Sequence, residues 1–275
     1  MNSRFVTTSR GCKVRVFEAG SGAPLVFLHG AVGFLGREDF LDELAKSHRV
    51  VAPELPGFGE STGEDLLEDM QDFALHGWDV IETLGIEKPH LVGHSMGGMI
   101  AAEMAALAPN DLGKLVLVGA AGLWIPEHPI PDLYSLLPHE YPRYLAHDQE
   151  FGLKLLTGGL DFSNLEVLAE FYIANSRRMA MAGKILFPIP NRRLSKRLYR
   201  VKAETLVLWG EEDILIRPEY GEKFRELIRG ARLVKIREAG HLLPYEQTEM
   251  FVSTVAGFLG APSAPFPRWH PSDRG

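Results

Sequence analysis

The nine residues Leu91-Val92-Gly93-His94-Ser95-Met96-Gly97-Gly98-Met99 join two kinds of sequence. Leu91 and Val92 end a short apolar run that reads as a buried strand, and the residues from Met99 to Leu107 are helix formers. Between the two the chain must turn within a few residues, with Ser95 at the apex and Gly93 and Gly97 on either side. This is the G-x-S-x-G pattern, in which a strained strand-to-helix turn lifts a serine hydroxyl clear of the backbone. Glycines fit at both flanks, because a side chain there would collide with the adjoining strand or helix. Five residues of this kind also arise by chance; the strand before and the helix after favour a nucleophile over an ordinary turn serine.

Outward from this turn the chain alternates strand and helix. Pro24-Leu25-Val26-Phe27-Leu28 is a continuous apolar run, as in a strand covered on both faces. Residues 37–46 carry a helical pattern, Arg49 to Ala52 a strand, and 64–85 a helix face at Leu66, Met70, Phe73, Gly77, Ile81 and Leu84. His90 to Gly93 feeds the serine, 96–108 is the following helix, stopped by Pro109, and Lys114 to Val118 is another buried strand. Ahead of this series, 4–8 and 12–18 read as an antiparallel hairpin at the sheet edge. The alternation predicts right-handed crossovers and a mostly parallel sheet of the α/β class, with helices on both faces.

Residues 122–200 break the rhythm. Prolines at 126, 129, 131, 138, 142, 188 and 190 accompany amphipathic pieces around 150–157 and 165–183, which reads as a helical insertion. The rhythm resumes at Thr205 to Gly210, with a helix near 217–229, a strand at 232–236 and a last helix over 245–259. The expected organisation is a core of 1–121 and 201–260, an inserted helical segment of 122–200, and a flexible tail at 261–275 with four prolines.

With 275 residues and 45% hydrophobic content the chain can bury a large core. A net charge of -7 gives no support to a nucleic-acid partner or an anionic membrane surface. The single cysteine, Cys12, alternates with Val14 and Val16 as an inward strand residue and fits a reducing compartment. The first residues lack the apolar core of a signal peptide, and no window reaches the ~18 apolar residues of a spanning helix. A soluble cytoplasmic protein, monomeric or homo-oligomeric, is the expectation. No His-Glu-x-x-His pattern or cysteine pair suggests a metal, and the glycines at 57–59 lack the lysine of a phosphate loop, so neither a metal nor a cofactor is implied.

A serine needs a base to take its proton and an acid to orient that base. In an open parallel sheet such groups gather at the carboxyl ends of strands. Asp213 follows one strand in Trp209-Gly210-Glu211-Glu212-Asp213, and His241 follows the next in Glu238-Ala239-Gly240-His241. Singly, the acid reads as well as a helix cap and the histidine as a turn residue. Falling in the order Ser, Asp, His at strand ends, they read as a triad. Glu211 and Glu212 compete for the acid role; Asp213 is preferred because the turn after Trp209-Gly210 should aim it inward. Backbone amides of Met96, after the nucleophile, and of Ala31, in the loop His29-Gly30-Ala31-Val32-Gly33, are the expected oxyanion donors.

Together Leu28-His29-Gly30, Glu54-Leu55-Pro56-Gly57-Phe58-Gly59-Glu60-Ser61, Gly93-His94-Ser95-Met96-Gly97-Gly98, Trp209-Gly210-Glu211-Glu212-Asp213 and Gly240-His241 resemble the α/β-hydrolase superfamily, in particular its small capped serine hydrolases. The resemblance implies an eight-stranded sheet with 122–200 as a cap over the active site. Glu54 departs from the aspartate usual before Leu-Pro-Gly, and loop support is the property this should touch. Serine at position 95 departs from the aspartate of haloalkane dehalogenases and most epoxide hydrolases of this family. It suits carboxylesterases, lactonases, perhydrolases and carbon–carbon hydrolases of vinylogous diketones. The last group carries asparagine before the serine, a longer glycine-rich loop and tryptophan after the histidine, where this chain has His94, Ala31-Val32 and Leu242.

The expectation is therefore a serine hydrolase of an ester or lactone of a small hydrophobic substrate, with the carbon–carbon hydrolase as alternative. A receptor-like protein with little turnover and a non-hydrolytic lyase on the same residues are further alternatives. His29, Val32, His94, Leu123, Trp124 and Leu242 are the candidate pocket residues. Arg177, Arg178, Arg192 and Arg193 offer partners for a substrate carboxylate, although a solvated helix face and a basic loop account for them more simply.

Overall fold

A computed structural model describes residues 1–187 and 191–260; the expected tail at 261–275 and the prolines at 188 and 190 lie outside the described residues. Eight strands form one sheet: β1 (Asn2–Thr7), β2 (Lys13–Ala19), β3 (Pro24–Leu28), β4 (Arg49–Pro53), β5 (His90–His94), β6 (Lys114–Val118), β7 (Glu204–Gly210) and β8 (Arg232–Ile236). Their order across the sheet is β1-β2-β4-β3-β5-β6-β7-β8. The first two pairings are antiparallel, as the edge hairpin required, and every later one is parallel. The helices are α1 (Asp39–Leu44), α2 (Met70–Thr83), α3 (Met96–Leu107), α4 (Tyr141–Leu145), α5 (Gln149–Thr157), α6 (Leu165–Leu186), α7 (Pro218–Leu227), α8 (Leu243–Glu246) and α9 (Thr248–Leu259).

The apolar runs of the central strands serve two layers because successive side chains point to opposite faces. Leu25 and Phe27 of β3 pack with Phe40, Leu41 and Leu44 of α1 and Phe251 and Val255 of α9. Val26 and Leu28 of the same strand pack on the other face with residues of α2, α3 and α7. Helix α3 is apolar on every face except at Glu103, which pairs with Arg197, and is buried along almost its whole length, which is what such a composition requires. Cys12, Val14 and Val16 are all fully buried, in line with the inward alternation.

Two helices differ from the sequence expectation. Over 64–85 a 3-10 turn at Glu64–Leu66 is separated from α2, because the Asp69 carboxylate accepts from the amides of Gln71 and Asp72 and so starts the helix at Met70. Over 245–259, Gln247 takes a non-helical conformation (φ -126°, ψ 53°) that divides α8 from α9.

Between β6 and β7 the described residues contain helices and 3-10 turns and no strand. This segment lies across the carboxyl ends of the strands. The Leu242 amide donates to Leu145 O at 2.9 Å, and Lys184 Nζ on α6 donates to the carbonyls of Glu64 and Leu67 at 2.6 and 2.9 Å.

Candidate active site

Ser95 sits between β5 and α3 with φ 55° and ψ -116°, a strained conformation for any residue but glycine. The surroundings hold it there. The Ser95 amide donates to Val118 O at 2.9 Å, and the Ser95 carbonyl accepts from Met99 and Ala121 at 3.1 and 3.0 Å. A β-carbon on Gly93 would run into the Gly97 carbonyl, and one on Gly97 into the Leu28 carbonyl. The two flanking glycines are thus required by close backbone packing.

The three residues picked from different strand ends meet. His241 Nε2 accepts from Ser95 Oγ at 2.8 Å. His241 Nδ1 donates to Asp213 Oδ2 at 2.8 Å. The other oxygen of Asp213 accepts from the amides of Leu215 and Ile216 at 3.0 and 2.9 Å, so both carboxylate oxygens are occupied and the ring is held in one tautomer. Ser95, Asp213 and His241 are all buried. Glu212 instead accepts from the Ala239 amide at 3.1 Å, and Glu211 faces Arg237 at 3.8 Å; neither reaches His241. Gly119, after β6, belongs to no motif that marks it in the sequence. It takes φ +50°, and a β-carbon there would stand 3.3 Å from His241 Nδ1, so a bare backbone makes room for the imidazole.

Ala31 and Ser95 line one cavity of about 60 Å³. Among the described residues the amides of Ala31 and Met96 donate to no protein acceptor. Ala31 lies in a turn closed by Gly33 N–H on Gly30 O at 3.0 Å. Such free amides beside a nucleophile are the arrangement an oxyanion needs.

The pocket candidates fare unevenly. Leu123 lines the cavity, but His29, Val32, His94, Trp124 and Leu242 do not. His29 is a loop strut: Nε2 accepts from the Leu55 amide at 3.0 Å and Nδ1 donates to Gly30 O at 2.8 Å. Its burial lowers its pKa to about 4. His94 turns away from the cavity to donate from Nε2 to His241 O at 2.7 Å. Burial first, and then the nearby His241, lower its pKa to about 3, so it stays neutral. Leu242 is core, and Val32 lines a separate cavity of about 180 Å³ with Tyr141, Phe171, Asn175 and Arg178. Adjacency to a motif was a poor guide because each of these side chains is aimed by its local backbone.

Met99, Tyr134, Met179, Ile185, Arg192, Leu215 and Ile216 also line the Ser95 cavity. Leu215 and Ile216 were findable, since an aspartate commonly caps the amides two and three residues ahead of it. The residues of α6 carried no such signal. The arginines are not one solvated group. Arg177 pairs with Glu64 at 3.0 Å, and Arg193 is exposed at φ 58°. Arg192 spans Ile185 O and Phe187 O at 3.0 and 3.2 Å. Arg178 is half-buried and reaches Val32 O at 3.1 Å. Glu54 supports its loop as expected, its buried carboxylate accepting from the Glu60 amide at 2.9 Å.

A family model described as "Alpha/beta hydrolase family" matches residues 25–254. The 2-hydroxy-6-oxo-6-phenylhexa-2,4-dienoate hydrolase of Comamonas testosteroni is 30% identical over 266 residues, covering 88% of this chain and 89% of that protein. Lipase 1 of Psychrobacter immobilis is 28% identical over 252 residues, covering 86% and 77%. The solved structure of the 2-hydroxy-6-oxo-6-phenylhexa-2,4-dienoate hydrolase from Rhodococcus sp. strain RHA1 aligns with a TM-score of 0.77 at 21% identity, over 94% of this chain and 100% of that one, and shares the fold. With serine at the elbow and a matching eight-stranded sheet, the chain belongs to the alpha/beta hydrolase family.

Proposed function

We propose that this hydrolase cleaves carboxylic esters or lactones of small, mostly hydrophobic acids through an acyl-enzyme on Ser95. The observation that carries the reading is the Ser95–His241–Asp213 relay, whose serine opens on a mostly apolar cavity lined also by Ala31, with the free Met96 amide next in the chain. His241 takes the Ser95 proton as Oγ attacks the carbonyl carbon, and Asp213 holds the imidazole in the tautomer this requires. The amides of Met96 and Ala31 receive the oxyanion. His241 then protonates the leaving alcohol, and water, deprotonated by His241, releases the acid. At about 60 Å³ the cavity suits a short acyl group, well below the roughly 300–1,000 Å³ of larger ligand sites.

A second reading is favoured by the names of the relatives, several of which are hydrolases of 2-hydroxy-6-oxo dienoates. Carbon–carbon cleavage of a vinylogous diketone uses the same serine and water, and Arg192 on the cavity wall would meet its carboxylate. The test is parallel: p-nitrophenyl acetate and butyrate, a lactone, and 2-hydroxy-6-oxo-6-phenylhexa-2,4-dienoate, each with wild type and Ser95→Ala. Ester turnover that vanishes in Ser95→Ala supports the first reading. Dienoate turnover at a kcat/KM well above that of every ester replaces it with the second.

A further inference from the structure

Helix α6 is tied to the core by Arg177, Arg178 and Lys184, and of the three Arg178 alone has a buried nitrogen without a partner among the described residues. Arg177 has the Glu64 carboxylate at 3.0 Å; Arg178 has no carboxylate partner among the described residues. Its side chain runs past Gly33, where a β-carbon would lie 3.6 Å from Arg178 Cδ. One guanidinium nitrogen donates to Val32 O at 3.1 Å and the other to Asn175 Oδ1 at 3.4 Å, while Nε is buried and unpartnered. A cation withdrawn from water without a counterion is unfavourable, so its placement calls for a compensating role. Val32 and Ala31 are the two central residues of the turn that Gly33 N–H closes on Gly30 O.

We propose that Arg178 is a positioning residue for the oxyanion hole: carried in on α6, its guanidinium holds the Val32 carbonyl and thereby fixes the turn from which the Ala31 amide serves the Ser95 cavity. The proposal rests on the reading of Ala31 N–H as an oxyanion donor. A turn with glycine at both ends is soft; its closing hydrogen bond and His29 Nδ1 both fall on Gly30 O and leave the Val32 end free, and the direction of the Ala31 amide follows the orientation of the peptides on either side. A donor works only when held about 2.7–3.1 Å from the developing oxyanion. A charged donor on Val32 O supplies the missing restraint from outside the loop, since charge-assisted hydrogen bonds are the stronger kind. Catalysis is then coupled to the seating of α6: a helix lifted from the core leaves the triad intact but the second amide unaimed.

The experiment uses the full chain, with Arg178→Met, Arg178→Lys and Arg178→Ala, on p-nitrophenyl acetate and butyrate and on the anionic mono-p-nitrophenyl succinate. The expected result is a kcat about 10- to 100-fold lower in Arg178→Met on all three esters, with KM within about twofold. Arg178→Lys should recover part of the loss, and added guanidinium should restore part of the Arg178→Ala activity, which no loss of folding would permit. An unchanged kcat in Arg178→Met beside an active wild type overturns the proposal and leaves the function standing. A loss confined to KM of the succinate ester also overturns it, making Arg178 a substrate-binding residue. A wild type inactive on every ester fails the proposed function first.

Discussion

Helices α3 and α6 are the two long helices nearest the nucleophile, and they are held by different forces. All of α3 except its last residue is buried; on α6 only Met181, Ala182 and Ile185 are. The first is fixed by apolar burial, at roughly 1.5–3 kcal/mol for each large side chain. The segment containing α6 adds to its buried apolar residues, among them Tyr141, Leu145, Leu155, Leu194 and Leu198, a set of cations laid on core acceptors. Arg177 donates to Gly59 O at 3.2 Å, Lys184 to Leu67 O at 2.9 Å, Arg197 to Glu103 Oε2 at 2.7 Å and Arg200 to Ala106 O at 2.7 Å. Burial gives a rigid platform for strained Ser95 backbone.

The comparison can be broken at several points. The largest effect is expected at the junction itself: Asp213→Asn removes the acceptor that sets the His241 tautomer and should lower kcat about 10⁴-fold, with unchanged far-UV circular dichroism. Next is the platform. Gly97→Ala places a β-carbon against the Leu28 carbonyl, and a loss of at least about 4 kcal/mol is expected in urea unfolding; a loss below 1 kcal/mol would mean the turn is not rigid.

Smaller effects probe the covering segment. Arg197→Met strands Glu103, which is 4% exposed, as a buried charge. Full burial of both partners would make this about 3–5 kcal/mol. Because the Arg197 side chain is 37% exposed, solvent screening reduces it to about 2 kcal/mol. The smallest effect lies in a polar flaw of the core. His76 on α2 is buried with neither ring nitrogen partnered, and burial lowers its pKa to about 4. Between about pH 6.5 and 4 the unfolded chain binds a proton that the folded chain refuses, so stability falls as pH falls through that window. His76→Leu should raise stability at pH 7 by about 1 kcal/mol and flatten the decline; His29 and His94, lowered to about 4 and about 3, keep the same sign and remain.

What could be read from the chain alone follows the same division. Apolar runs such as Leu25–Leu28 have one solution, a strand covered on both faces. Ser95 and Asp213 follow such runs and His241 follows the edge strand β8, so the strands carried the catalytic candidates to one end of the sheet. The donor loop was readable for the same reason. The pocket was not, because Tyr134, Met179 and Arg192 reach Ser95 through contacts between segments far apart in sequence. His94 and Leu242, beside the motif, are turned away by a single hydrogen bond or by core packing. Arg178 carried no sign of its burial, since the carbonyl it meets is a backbone atom that every residue possesses.

The central claim is that Ser95 becomes the acylated nucleophile. Intact-mass and peptide mass spectrometry after reaction with a fluorophosphonate, and after an acid quench of p-nitrophenyl butyrate turnover, tests it most directly. The account predicts one adduct, on the peptide containing Ser95, absent from Ser95→Ala and formed much more slowly in His241→Ala. An adduct on another residue, or hydrolysis that persists at wild-type rate in Ser95→Ala, would contradict it.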